Sequence, residues 1–310
     1  MSKYKKAPKA APQASTTQAV FVPPQPQSSA PLRSMDQERA EFALKKIQSI
    51  VASPDETHKK EVRRYLNNLP ALIRMNGLGQ ALARRLAADG WQLVVVSRDA
   101  ARLEAAFGTE HLQVVADCST PAGVAQIFAE AAAAGLTPNA LAHCVGNIRL
   151  GALHRTKEQD FRDCLEANLI SAFHTLAGFV GALAKAGQPG AAVLVSSAAA
   201  RIGTPNHEAV AAAKAGVEGL VRGAAATYAG AGIRINAVAP GIMETPASAR
   251  IIANGSAREA AARQYPLPGI GDPAELAGLM AWLLSPEAGR VTGQVWSMDG
   301  GFASVRPLVK

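Results

Sequence analysis

Six apolar runs separated by segments of helix length constrain this chain more than any other feature. They are LVVV at 93–96, LQVVA at 112–116, ALAHCVG at 140–146, AAVLVSS at 191–197, IRINAVAP at 233–240 and VWSMDGG at 295–301. A strand with one wet face alternates apolar and polar residues, whereas a near-continuous apolar strand is covered on both faces. Connections long enough to hold a helix let successive strands run parallel. The expected architecture is an α/β fold, a doubly wound parallel sheet of the Rossmann-like type, over residues 70–310.

The stretch just before the first run, LPALIRMNGLGQALA at 69–83, fits that architecture only in part. From Gly77 it reads as a glycine turn and a helix with Leu82, Ala83, Leu86 and Ala87 on one face. Ile73, Arg74, Met75 and Asn76 stand where a dinucleotide fold places a strand end and the first glycine of its turn. Either ALI at 71–73 serves as a stunted strand, or the sheet has a gap that N-terminal helices cover. The stunted strand is the preferred reading, because an uncovered core face leaves backbone groups and apolar surface without partners.

Ahead of the sheet the composition changes. Residues 1–33 are rich in Pro, Gln, Ser, Ala and Lys and hold no acid, so they read as a disordered arm. Residues 34–69 read as a helical hairpin, with Phe42, Ala43, Ile47, Ile50 and Val51 on one stripe and Val62, Tyr65, Leu66 and Leu69 on the other. The two stripes are expected to pack against the sheet domain. The first 70 residues carry 12 Lys/Arg against 6 Asp/Glu, which accounts for +6 of the chain's +8. A nearly neutral remainder argues against nucleic-acid binding by the sheet domain; the front either contacts RNA or an acidic partner, or is a solvated basic tail.

Cys118, Cys144 and Cys164 are odd in number and widely spaced, so they suggest reduced buried thiols and no metal site. No apolar run reaches the ~18 residues that span a bilayer, and no secretory core opens the chain. A cytoplasmic protein without a membrane segment is expected.

From Gly77 to about Ser304 the motifs resemble the short-chain dehydrogenase/reductase family. Asn168 in LEANLISAF, Ser197 in VLVSS and Lys214 in AAAKAGVEGL fall at the family's catalytic positions; Asn236, Pro240, Gly241, Thr245 and the Asp299-Gly300-Gly301 end follow its cofactor-side pattern. The resemblance implies hydride chemistry on a small-molecule carbonyl or alcohol, a nicotinamide dinucleotide, a homo-oligomer, and cofactor contacts from Gly77, Gly79, Gly146 and Lys214. The family's tyrosine lies four residues before the Lys and thirteen after the Ser. Both counts give position 210, which is Val210. Valine cannot protonate a carbonyl, and an ordinary lysine is a poor acid at neutral pH. His207, three residues earlier, is either a substitute acid or part of a solvated loop. At the end of the second strand stand Ser97 and Arg98 in place of an acid; Arg98 either pairs with a 2′-phosphate, favouring NADP over NAD, or is simply exposed. Asp117 is either an adenine contact or a cap for the following helix. His143, Cys144 and Val145 replace the family's structural amides, and Gly146 keeps its glycine.

Residues 34–83 also resemble the small helical subunit of type III-B (Cmr-type) CRISPR RNA-guided effector complexes, in ERAEFALKKIQSI, KKEVRRYLNNLP and above all LPALIRMNGLGQALA. That resemblance implies an RNA or CRISPR-complex partner for the N-terminal segment, and a helical conformation for PALIR.

Overall fold

The computed structural model describes residues 70–74, 77–107 and 110–306. The arm at 1–33 and the hairpin at 34–69 lie outside the described residues, as do Met75 and Asn76.

PALIR is a strand. β1 (Pro70–Arg74) runs parallel to β2 (Gln92–Ser97) on one side, with Leu72 opposite Val94, and to β4 (Ala140–His143) on the other, with Leu72 opposite Leu141. The helical conformation implied by the second resemblance is therefore corrected for these residues. The stunted-strand reading holds, and the strand extends one residue beyond ALI at each end. The physical reason is the sheet itself: between β2 and β4 the backbone of Ala71–Ile73 finds ladder partners on both sides that a helix would forfeit.

The remaining elements follow in order: α1 (Gly77–Ala88), α2 (Ala100–Phe107), β3 (Leu112–Val115), α3 (Pro121–Ala133), α4 (Glu158–Leu165), a π turn (Glu166–Ile170), α5 (Ser171–Ala186), β5 (Gly190–Val195), α6 (Glu208–Tyr228), β6 (Ile233–Pro240), α7 (Gly255–Ala262), α8 (Pro273–Leu284) and β7 (Val295–Met298). The seven strands form one parallel sheet in the order β3-β2-β1-β4-β5-β6-β7. The order reverses between β1 and β4, which opens a crevice at the carboxyl ends of those strands.

One sheet face packs on Leu82, Leu86, Leu103, Leu276 and Met280 from α1, α2 and α8; the other packs on Ile127, Phe179, Leu183, Val217 and Val221 from α3, α5 and α6. Local signals start these helices. Asp272 accepts from the Ala274 N–H ahead of Pro273, and Thr120 accepts from the Gly123 N–H ahead of Pro121, so proline occupies a first turn where its missing N–H costs nothing. The helical run Glu158–Ala186 is long and apolar enough to cross a membrane by length and composition alone. Its apolarity has a use within the fold: Leu176, Phe179 and Leu183 are buried in the core.

Candidate functional site

A cavity of about 580 Å³ opens at the carboxyl ends of the central strands. Its wall brings together Gly77, Gly146, Asn168, Ser197, Lys214, Pro240, Gly241 and Thr245, with Val210 among them. Three elements supply the polar centre. α6 carries Val210 and Lys214 one turn apart and buries both. The π turn presents buried Asn168, and π turns interrupt helices mainly where a side chain must be re-aimed. Ser197 follows β5, where its hydroxyl accepts from the Ala199 N–H at 3.2 Å.

Lys214 Nζ donates to the Val195 carbonyl at 2.8 Å. Burial pulls its pKa down to about 8, and the neighbouring thiols Cys164 and Cys144 act weakly in the opposite direction. Its burial thus sets it apart from the ordinary lysine assumed from the sequence, in the direction of the neutral amine. Cys144 is pushed up to about 12 by the same burial, against the pull of Lys214, so its thiol stays protonated. Asn168 Nδ2 donates to Cys164 O at 2.9 Å and Asn147 Oδ1 at 3.0 Å, whereas its Oδ1 is buried without a partner. A Cβ on Gly146 would stand 2.2 Å from that Oδ1 and 3.1 Å from Lys214 Nζ. Glycine at 146 therefore lets the strand end approach both groups.

Val210 is packed with Ala209, Cys164 and Phe161, and no hydroxyl occupies its place. A smaller cavity of about 180 Å³ shares Ser197, Val210, Pro240 and Gly241 with the first and is also lined by His207 and Tyr265. His207 Nδ1 lies 2.8 Å from the Pro205 carbonyl, which leaves Nε2 as the nitrogen available to a ligand. The phenol oxygen of Tyr265 accepts from the Ile242 N–H at 2.7 Å.

Four expected cofactor residues do not line either cavity. Gly79 is buried inside α1. Ser97, Arg98 and Asp117 lie at the ends of β2 and β3, where Arg98 and Asp117 form an exposed ion pair at 3.5 Å. Asp117 also accepts from the Ser119 N–H and hydroxyl, whereas Thr120 is the actual cap of α3. Sequence reasoning missed Cys144, Cys164 and Tyr265 as site neighbours. The two thiols flank Gly146 and Asn168, a proximity that the motif comparison could have revealed.

The donor set suits a nicotinamide dinucleotide: an orphaned amide oxygen, a buried amine and a strand end bared by Gly146 surround one cavity. The N-terminal end of α1, which has no acid in its first turn, reaches the same wall through Gly77 and Leu78. Comparison with known proteins agrees. Residues 73–303 match the family model described as enoyl-(acyl carrier protein) reductase. The chain is 34% identical over 229 residues to carbonyl reductase family member 4 of Danio rerio, covering 73% of this chain and 93% of that one. It is 35% identical over 236 residues to cis-4-hydroxycyclohexanecarboxylate dehydrogenase of Sinomonas cyclohexanicum, covering 74% and 94%. Among solved structures, ElxO with NADP bound superposes with a TM-score of 0.70 at 25% identity, covering 77% of this chain and 99% of that one. A tyrosine-to-phenylalanine variant of ElxO with NADPH bound gives a TM-score of 0.71 at 25% identity, covering 77% and 99%.

Proposed function

The chain belongs to the short-chain dehydrogenase/reductase family of oxidoreductases, and from that membership we propose an NADP-linked enzyme for small carbonyl or alcohol substrates whose proton donor departs from the family pattern. The observation that carries this reading is the convergence of Asn168, Ser197, Lys214, Gly146 and Thr245 on one cavity around Val210. A bound nicotinamide would supply or take up the hydride. Lys214 and the unpartnered Asn168 oxygen would hold its ribose side, and Gly77 with the N-terminal end of α1 would meet its phosphates. Arg98 would take a 2′-phosphate in exchange for Asp117. The present pair is exposed on both sides and costs little to separate, whereas a phosphate offers a charge-assisted, bidentate contact.

Ser197 would orient the substrate oxygen, and the proton must come from a group other than Val210. His207 is the candidate, because it lines the small cavity that shares Ser197 and Val210 with the large one. The test is NADPH oxidation with small ketones by the wild-type protein and by His207→Asn. Slow turnover in the wild type that falls at least ~10-fold in the variant, with NADPH affinity kept, is expected for a lost acid. An unchanged rate removes His207 from the mechanism. A second reading, a nucleotide-binding scaffold without turnover, draws on the apolar packing of Val210 against Phe161 and Cys164; NADPH binding with no rate on any ketone would select it.

A further inference from the structure

Among the described residues, Lys214 is a buried amine without a counter-charge. Among the described residues no carboxylate lines its cavity, and none of their ion pairs includes it. Glu218, one turn further along α6, is held by Arg201 at 3.1 Å and Arg222 at 3.8 Å and hydrogen-bonded by Ser196 at 2.9 Å. The thiols that face Lys214, Cys144 and Cys164, both have pKa values raised by burial. Where the family places a phenol beside this lysine, Val210 leaves an apolar surface. The same cavity is lined by the apolar Leu78, Val145, Ile148, Ile242 and Met243, beside polar Gln80, Arg102 and Asn147.

An amine in such surroundings gains by becoming neutral, and a neutral amine facing an apolar cavity is a nucleophile. We propose that Lys214 captures apolar aldehydes in this cavity as an imine. The amine nitrogen attacks the carbonyl carbon and the C–N bond forms. The carbonyl oxygen then leaves as water, taking the two protons that the neutral amine gives up. No redox reagent is required. Such a role goes beyond the oxidoreductase reading and does not depend on it, and it places an aldehyde and a dinucleotide in competition for one amine.

The experiment uses the full chain with benzaldehyde as the probe and cyanoborohydride to trap the imine, followed by peptide mapping at pH 7. Exposed Lys157 and Lys185 serve as internal references. With the amine titrating at about 8, Lys214 has a far larger neutral fraction than an ordinary lysine. It should be benzylated on the order of tenfold faster than either reference. Lys214 is already neutral above about 8, whereas exposed lysines gain neutral amine up to their usual range near 10.4, so the selectivity should shrink toward pH 10. Labelling of Lys214 no faster than Lys157 or Lys185 would overturn the proposal. Because the references sit in the same folded chain, the result does not depend on a variant that folds. Adding NADPH separates the two readings: suppression of selective labelling supports both, while selective labelling that NADPH leaves untouched supports the imine and contradicts a cofactor seated on Lys214.

Discussion

The helical wall of the cleft and its glycine end depart from the family pattern in opposite ways. On the wall, α6 changes one side chain, Val210, and keeps Lys214 in register one turn later. At the glycine end the turn itself differs: α1 begins at Gly77, three positions after β1 ends at Arg74, and no glycine stands between them. A substitution on a helix leaves its neighbours in place because the backbone ladder sets their positions. Loss of a glycine from a turn restricts the backbone that would bring its N–H groups to a phosphate. The wall is thus expected to keep binding while losing chemistry, and the glycine end to keep its chemistry while losing part of its affinity.

The largest expected effect restores the wall. Val210→Tyr returns a phenol beside Lys214 and should raise ketone reduction by roughly 10²- to 10⁴-fold, as measured by NADPH oxidation. A wild type that already turns over at the variant's rate would erase the contrast between the two regions.

Next in size is the stability that the wall forgoes. Lys214 titrates at about 8 in the fold and near 10.5 when exposed, so between those values the unfolded chain binds more protons than the native one. Wild-type stability from this group therefore rises with pH across that window and is lowest below about 8. Lys214→Met should stabilise the protein by on the order of 2 kcal/mol at pH 7, after ~1 kcal/mol is lost with the hydrogen bond to Val195. Denaturant melts of both proteins should show the gain shrinking as pH rises from 8 and turning into a small loss, about the hydrogen bond, near pH 10.5. A variant less stable at every pH would show that the lysine is compensated by contacts other than those described.

The smallest effect tests the far end of the cleft. Arg98→Asp should reduce any preference for NADPH over NADH by about tenfold, near 1.4 kcal/mol, measured by competitive titration. Equal preference before and after would leave Arg98 as nothing more than the exposed partner of Asp117.

What the sequence made legible follows the same division. Strands β2 to β7 were readable from their apolar runs, and the Ser197–Val210–Lys214 register from two independent spacings, because helices and buried strands impose a fixed period. β1 was harder to read. Its apolar core is three residues long, and only its ladders to β2 and β4 make Pro70–Arg74 a strand. The separation of Arg98 and Asp117 from the cavity could not be read, since it depends on the three-dimensional placement of the β2 and β3 ends. Nor could the altered titration of Lys214, which arises where α6, the π turn and the end of β4 meet around one amine.

The central claim is that the wall still seats a dinucleotide although the phenol and the first glycine of the turn are missing. Calorimetric titration of the full chain with NADPH and with NADH tests it most directly. The account predicts one saturable site for NADPH, weaker binding of NADH, and loss of the NADPH site in Lys214→Met. Failure of both nucleotides to bind at millimolar concentration, or NADPH binding unchanged by Lys214→Met, would contradict it.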